Sequence, residues 1–254
     1  MKRRADFSRF RLGKQPARHD PRTLQMADYL ALPDIPPQAD YTSKVGPDWG
    51  MMLNDRTGDC TCAAAGHAIQ LWSANESREI TIPDSKVLRA YSAVSGYRPG
   101  DPSTDRGAVE LDVLKYWRKA GVGGHKIDAF VALEPGNHHH VMAAVELFGL
   151  SYVGLALPLS ARSQAVWSVP PGGPRGQGAP GSWGGHAVIV GQYDAQFLTC
   201  VTWGRPQRMT WAFWDAYCDE SYALLSGLWA PDGRRSPSGF DHPALEADLK
   251  EVAG

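Results

Sequence analysis

Residues 54–68 read Asn54-Asp55-Arg56-Thr57-Gly58-Asp59-Cys60-Thr61-Cys62-Ala63-Ala64-Ala65-Gly66-His67-Ala68. The stretch predicts a loop that turns at Gly58 and enters a helix at Asp59. Asp is a preferred helix N-cap because its carboxylate accepts hydrogen bonds from the free amides of the first turn. Apolar residues follow at helical spacing, which predicts a helix to about Ala74 with one buried face.

Cys60 falls in the first turn of this predicted helix. The positive end of the helix dipole favours thiolate over thiol there, and the thiolate is the nucleophilic form. The alternative interpretation is a small core residue, because free cysteine is among the most buried residue types. The stretch by itself leaves both interpretations open.

Two later stretches bear on that choice. Residues 184–191, Gly-Gly-His-Ala-Val-Ile-Val-Gly, predict a buried strand with the imidazole of His186 at its mouth. Residues 197–204, Phe-Leu-Thr-Cys-Val-Thr-Trp-Gly, predict a second strand that ends in Trp-Gly. The three stretches, in this order, resemble the papain-like cysteine peptidases of the bacterial and phage type. Those enzymes commonly show Gln-X-X-X-Gly-Ser-Cys-Thr, Gly-Gly-His-Ala-Val and Asn-Ser-Trp-Gly, with the last two about 130–150 residues beyond the cysteine.

The resemblance runs from about Leu32 to about Leu228 and implies an α+β fold. It implies a papain-like two-lobed fold, with a helical N-terminal lobe, an antiparallel β-rich C-terminal lobe and the site in the cleft between them. We predict an N-terminal arm over 1–34, a papain-like domain over 35–229 and a C-terminal extension over 230–254. Within the papain-like domain, the helical lobe is expected over about 58–125 and the β-rich lobe over about 126–229. The arm is either an ordered extension that packs on the body or a short inhibitory pro-segment, which the family often carries.

The resemblance also implies roles for three residues. Cys60 is the expected nucleophile and His186 the expected base, acting through a thioester intermediate. Asn54 stands where the family has its oxyanion-hole Gln, and its amide is one methylene shorter. The alternative interpretation of Asn54 is a turn residue, since Asn-Asp is also turn chemistry.

One position departs from the family pattern. Val201 aligns with the Asn that orients the imidazole, and valine cannot form a hydrogen bond through its side chain. The orienting group is then expected to be Thr202, Gln192 or a backbone carbonyl. Trp203 aligns with the Trp that shields the catalytic pair from solvent.

Two functions therefore remain open. One is a cysteine-dependent hydrolase of peptide or related amide bonds, which Cys60 and His186 favour. The other is a catalytically weak or inactive papain-fold protein with a binding or structural role, for example in a phage particle, which Val201 favours. Whether the substrate is a peptide, a peptidoglycan stem or an isopeptide is not encoded in these motifs.

The rest of the chain is expected to supply elements of the same fold. Two aspects stand out: a Gly/Pro-rich loop over 159–183, expected to form a wall of the cleft, and an aromatic helix over 209–218 that follows the Trp-Gly strand. The remaining elements are helices over 83–96, 107–120 and 138–148, and strands over 127–133, 150–157 and 221–226.

Composition is that of an ordinary globular protein, with 43% hydrophobic and 21% charged residues and a net charge of −1 in 254 residues. Such a balance implies no strong attraction to nucleic acid or membrane. No signal peptide is recognised, so the expected location is the cytoplasm or a phage virion. The Cys60/Cys62 spacing is poor for zinc, and three consecutive histidines, 138–140, face different ways on a helix. We therefore expect no metal and no cofactor, while the family resemblance implies a peptide or protein substrate.

Overall fold

The computed structural model describes residues 6–29 and 34–229. Within them the helices are α1 Met26–Tyr29, α2 Cys60–Asn75, α3 Asp84–Ser95, α4 Glu110–Ala120, α5 His138–Phe148 and α6 Trp211–Tyr217. The strands are β1 Ala39–Asp40, β2 Ala129–Ala132, β3 Ser151–Leu157, β4 Gly184–Tyr193, β5 Phe197–Thr202, β6 Arg205–Thr210 and β7 Cys218–Leu225. The predicted C-terminal extension, 230–254, lies outside the described residues.

The strands form one antiparallel sheet in the order β2-β7-β3-β4-β5-β6, and β1 pairs with β4. The long strand β4 pairs with β3 on one side and β5 on the other, so it lies near the middle of the sheet. Its first residues, opposite the end of β3, bring His186 into register with Leu155.

Side chains alternate between two hydrophobic cores, one on each face of the sheet. On β4, Ala187 and Ile189 belong to the core that α2, α3 and α4 share. Val188 and Val190 belong to the other core, which α5 and α6 cover. This is the predicted α+β architecture, with helices α2–α4 against one side of an antiparallel sheet.

Helix α2 is buried along nearly its whole length, and small residues permit this. A Cβ on Gly66 would lie 2.3 Å from the sulfur of Met52, so the helix accepts that side chain only because position 66 has none. At the other end, Trp72 Nε1 donates to the carbonyl of Phe148 at 2.7 Å and joins α2 to α5. The result is a rigid support for the residue that begins the helix, Cys60.

The predicted helix over 209–218 was wrong at its start. Residues 205–210 form β6 along β5, and only Trp211–Tyr217 is helical. Thr210 marks the switch, because its Oγ1 accepts a hydrogen bond from Phe213 N at 3.1 Å and caps α6. The pairing of β6 with β5 is a tertiary contact that the aromatic periodicity of 209–218 does not reveal.

Candidate active site

The nucleophile candidate, Cys60, is the first residue of α2, as the sequence predicted, and is only 1% exposed. Burial raises the pKa of its thiol to about 12, and the carboxylate of Asp59 adds to the rise. Hydrogen bonds from the backbone amides of Ala187 and Gly13 act in the opposite direction. The expectation that the helix dipole would favour the thiolate is therefore corrected for this state, since loss of solvent outweighs the dipole.

His186 is fully buried on β4, directly before Ala187. Its Nε2 lies 2.6 Å from Oγ1 of Thr202, and its ring stacks on Trp203 with centroids 4.4 Å apart and planes 19° apart. Nδ1 is buried and has no hydrogen-bond partner among the described residues. Burial lowers the pKa of His186 to about 3, so the ring is neutral. When the proton sits on Nε2, Nδ1 is a free acceptor.

The structure thus brings His186, Thr202 and Trp203 together. The sulfur of Cys60 meets the amide of Ala187, the next residue on the same strand, and no hydrogen bond joins the sulfur to Nδ1 of His186 among the described residues. Gln192 is not part of this group. It lies six residues further along β4, or about 20 Å at about 3.3 Å per residue, and pairs with Asp40 of β1. Of the named side-chain candidates for orienting the imidazole, Thr202 is the one in place.

Asn54 does not face the cleft with a free amide. Its Nδ2 donates to the carbonyl of Thr57 and to Oδ1 of Asp59, each at 3.2 Å, and an amide nitrogen has two hydrogens to give. In this state the expected oxyanion-hole residue therefore braces the loop before α2, in line with the turn interpretation.

The prediction that the side chain of Asp59 caps the helix is also wrong. It occupies the N-cap position of α2, but its carboxylate makes no capping hydrogen bond. Oδ1 accepts from Asn54, while Oδ2 is buried without a hydrogen-bond partner among the described residues. Burial raises the pKa of this carboxyl to about 8, so the group is largely protonated at neutral pH.

The feature that sequence reasoning missed is the course of the arm. Gly13 passes directly over the nucleophile loop, since a Cβ on it would lie 1.8 Å from the carbonyl oxygen of Gly58. Lys14 N donates to Gly185 O at 3.1 Å on the sheet side of the site. Ala108 N donates to Gly13 O at 2.8 Å on the helical side. The arm therefore bridges the two walls of the cleft and covers Cys60.

Aromatic contacts anchor the arm next to the imidazole. Phe10 stacks on Trp203 with centroids 5.2 Å apart, and Phe7 lies 5.2 Å from the same ring. Trp203 Nε1 also donates to the carbonyl of Arg11 at 3.2 Å. Trp203 is thus shared between His186 and the arm. In the sequence this segment shows no regular pattern, and Gly13 is its one sign of a close backbone approach.

The other features considered are metal binding, the three consecutive histidines and membrane-spanning helices. No group of three His, Cys, Asp or Glu residues within 6–29 and 34–229 is arranged to hold a metal ion. His138, the first of the three consecutive histidines, bonds Asp215 through Nε2 at 2.6 Å and lies against Trp211. Over the same residues no helix is long and apolar enough to cross a membrane.

Comparisons with known proteins rest on structure alone. No protein-family model matches the sequence, and no curated protein matches it. Xylellain, a cysteine protease from Xylella fastidiosa, superposes with a TM-score of 0.63 and 16% identity, covering 89% of this chain and 98% of its own. This chain has the papain-like fold.

Further papain-like structures agree. A digestive procathepsin L2 proteinase from Tenebrio molitor gives a TM-score of 0.60 at 12% identity, covering 85% of this chain and 78% of its own. The cysteine protease and lectin-like domains of a surface layer associated protein from Clostridium difficile give a TM-score of 0.60 at 10% identity. This match covers 86% of this chain and 56% of that one. At such identities the likeness establishes the papain-like fold, and the chemistry must be argued from the residues.

Proposed function

We propose that this chain is a cysteine-dependent hydrolase of peptide or related amide bonds, with Cys60 as nucleophile and His186 as base. The observation that carries the proposal is the arrangement at the head of α2. The sulfur meets the amide of Ala187, and the imidazole of the preceding residue, His186, is fixed at Nε2 by Thr202 with Nδ1 left free.

In this mechanism Nδ1 of His186 takes the proton from Sγ of Cys60, and the thiolate attacks the acyl carbon. The carbonyl oxygen becomes an oxyanion, and the backbone amide of Cys60 at the helix N-terminus is the donor that the loop offers to it. His186 then gives its proton to the leaving amine, which departs and leaves a thioester. Water, deprotonated by the same imidazole, hydrolyses the thioester and restores the thiol.

Thr202 takes the orienting role in this proposal, in place of the Asn that Val201 replaces. Its hydroxyl both donates and accepts, so it can hold Nε2–H in the neutral ring and in the imidazolium. The stack of Trp203 on His186 supports the same role, since it restricts rotation of the ring and excludes water from it.

The arm gives the enzyme a latent state. The arm passes over the nucleophile loop at Gly13, Cys60 is buried, and the thiol and imidazole are both neutral while the arm is in place. Of the two predicted roles for the arm, this favours the inhibitory pro-segment over a simple docked extension. Displacement of the arm readmits water to the pair, which removes the cause of both pKa shifts.

The second candidate is a papain-fold protein with a weak or silent site and a binding role. The two occupied donors of Asn54 and the valine at 201 favour it, because they remove the expected oxyanion donor and the expected orienting amide.

Alkylation of Cys60 against pH distinguishes the two functions. The informative protein is the Gly13→Val variant, since a side chain at position 13 collides with Gly58 and displaces the arm. We expect the alkylation rate of Cys60 to rise at a pH well below the ~8.5 of a free thiol, and peptide hydrolysis to vanish in Cys60→Ala and in His186→Ala. A rate that follows a free thiol, with no hydrolysis, supports the binding role.

A further inference from the structure

The side chain of Lys14 leaves the arm and enters a closed pocket beside the site. Its ammonium is fully buried and lies 2.9 Å from Oε1 of Glu220 and 3.0 Å from Oδ2 of Asp219. It also donates to the carbonyl of Gln15 at 3.2 Å. Glu110, at the start of α4, completes the charged surroundings, and its field is the largest of those that raise the pKa of Lys14. We call Glu110, Gly154, Asp219 and Glu220 the acidic pocket.

A β-bulge makes this pocket. Consecutive residues of a regular strand point to opposite faces of the sheet, so Asp219 and Glu220 should not reach the same atom. The register between β3 and β7 shifts here, with Gly154 opposite Glu220 and Leu155 opposite Cys218. Asp219 is therefore the extra residue of the bulge, and both carboxylates turn towards one ammonium.

Gly154 supplies the space. A Cβ at that position would lie 2.1 Å from Cε of Lys14 and 2.7 Å from Cγ of Glu220. Its φ is not positive, so the backbone does not require glycine there. The missing side chain is what lets a long, straight residue extend into the pocket.

The pocket holds more carboxyl groups than Lys14 satisfies. Glu110 is fully buried, and neither of its oxygens has a hydrogen-bond partner among the described residues. Burial and the charge of Glu220 raise the pKa of Glu110 and favour its protonated form. Its unsatisfied oxygens can still accept hydrogen bonds from a donor-rich group. A guanidinium, with five donors in a fixed fork, matches three carboxyls at least as well as an ammonium does.

We propose that the acidic pocket is a specificity pocket of the hydrolase and receives a lysine or arginine side chain of the bound peptide. Lys14 occupies it in the latent state as the substrate side chain does in the open state. This inference rests on the proposed function for its catalytic meaning, but the selectivity of the pocket for a basic side chain can be measured without turnover.

The surrounding contacts divide recognition into two parts. Backbone hydrogen bonds to Gly185 and Ala108 hold the segment on either side of the pocket and are available to any peptide. Only the acidic pocket distinguishes one side chain from another at the position that Lys14 occupies. An apolar side chain there leaves buried carboxylates without a counter-charge, and an acidic one adds repulsion, so both are rejected.

The binding test uses synthetic peptides with the sequence of residues 8–18 and Lys, Arg, norleucine or Glu at position 14. The receptor is the full chain with Gly13→Val and Cys60→Ala, so the arm is displaced and turnover is absent. We expect the Lys and Arg peptides to bind at least tenfold more tightly than the norleucine peptide in fluorescence titration, and the Glu peptide not to bind. Adding Glu220→Gln should reduce the Lys-to-norleucine ratio to near one. Equal binding of the Lys and norleucine peptides overturns the proposal.

A positional-scanning library of fluorogenic peptide amides, cleaved by the Gly13→Val chain, then reports on the reaction. We expect one position at which Lys and Arg dominate, with the preference lost in Glu220→Gln. Selective binding without any cleavage leaves the pocket assignment standing and refutes the hydrolase. Cleavage with no position that prefers basic residues refutes the pocket assignment and leaves the hydrolase standing.

Discussion

Replacement of Lys14 by methionine should expose Cys60. Methionine keeps much of the length of lysine and removes the charge, so the buried carboxylates of the acidic pocket lose their counter-ion. Removing one partner of a buried ion pair costs about 3–5 kcal/mol. Asp219 is 35% exposed and solvent screens its share, so the lower end of that range applies. About 3 kcal/mol corresponds to roughly a 10²-fold increase in the population with the arm displaced.

The assay is the rate of Cys60 modification by iodoacetamide, followed by mass spectrometry of the peptide that contains residue 60. When the arm opens and closes faster than the reagent reacts, the observed rate is proportional to the open population. We therefore expect alkylation of Cys60 in Lys14→Met to be about 10²-fold faster than in the unaltered chain. Lys14→Arg keeps the charge and is the matched control, with a rate close to that of the unaltered chain.

Two internal observations keep the experiment interpretable. Cys62 and Cys200 are fully buried, so they report global unfolding and should remain unreactive in every variant. If Lys14→Met reacts at the rate of the unaltered chain, the ion pair does not hold the arm and the reasoning is refuted. The same follows if Lys14→Arg opens the site as far as Lys14→Met does.

Three further changes have defined outcomes. In the Gly13→Val chain, Thr202→Val removes the hydroxyl at 2.6 Å from His186 and should lower kcat/KM for peptide hydrolysis roughly 10²- to 10⁴-fold, by analogy with loss of an orienting partner. Thr202→Ser should retain most of the rate, and equal rates for the two variants would argue against the orienting role. Asp59 has a folded-state pKa of about 8 against 3.8 for an unperturbed aspartate, so its contribution to stability is present at pH 4 and is lost as the pH rises towards 8. Urea unfolding of Asp59→Asn should accordingly show less loss of stability from pH 4 to pH 8 than the unaltered chain, and parallel curves would contradict the burial of that carboxyl. Gly66→Ala should destabilise the fold by about 1–3 kcal/mol, although alanine has the higher helix propensity, because its Cβ would lie 2.3 Å from the sulfur of Met52. A raised melting temperature would contradict this expectation and show that Met52 moves aside at little cost.

Much of the framework could be predicted from local patterns. The helix that begins at Cys60, the helices over 83–96 and 107–120, and the strands that carry His186 and Thr202 all follow from hydrophobic periodicity, and the structure has them at nearly the predicted bounds. The papain-like fold followed from the order and spacing of three motifs. The missed strand β6 shows the limit, since its residues form a strand only because β5 lies beside them.

The roles of single site residues depended on contacts across the chain. Asn54 had the right position for an oxyanion donor, yet Asp59 and Thr57 take both of its hydrogens. Thr202 and Gln192 were equal candidates for the imidazole, and strand length separated them. The thiol of Cys60 was expected to be acidic from its place on the helix, and burial under Gly13 reversed the direction of its pKa shift.

The amino-acid sequence determined which residues carry reactive groups and which elements present them, because helix starts and strand ends are encoded by near neighbours. Tertiary structure decided what covers those groups. An arm without regular pattern reaches the cleft, and a bulge turns Asp219 and Glu220 towards Lys14, more than 200 residues away in the chain. Desolvation and ion pairing depend on distance in space, and separation along the chain does not record that distance.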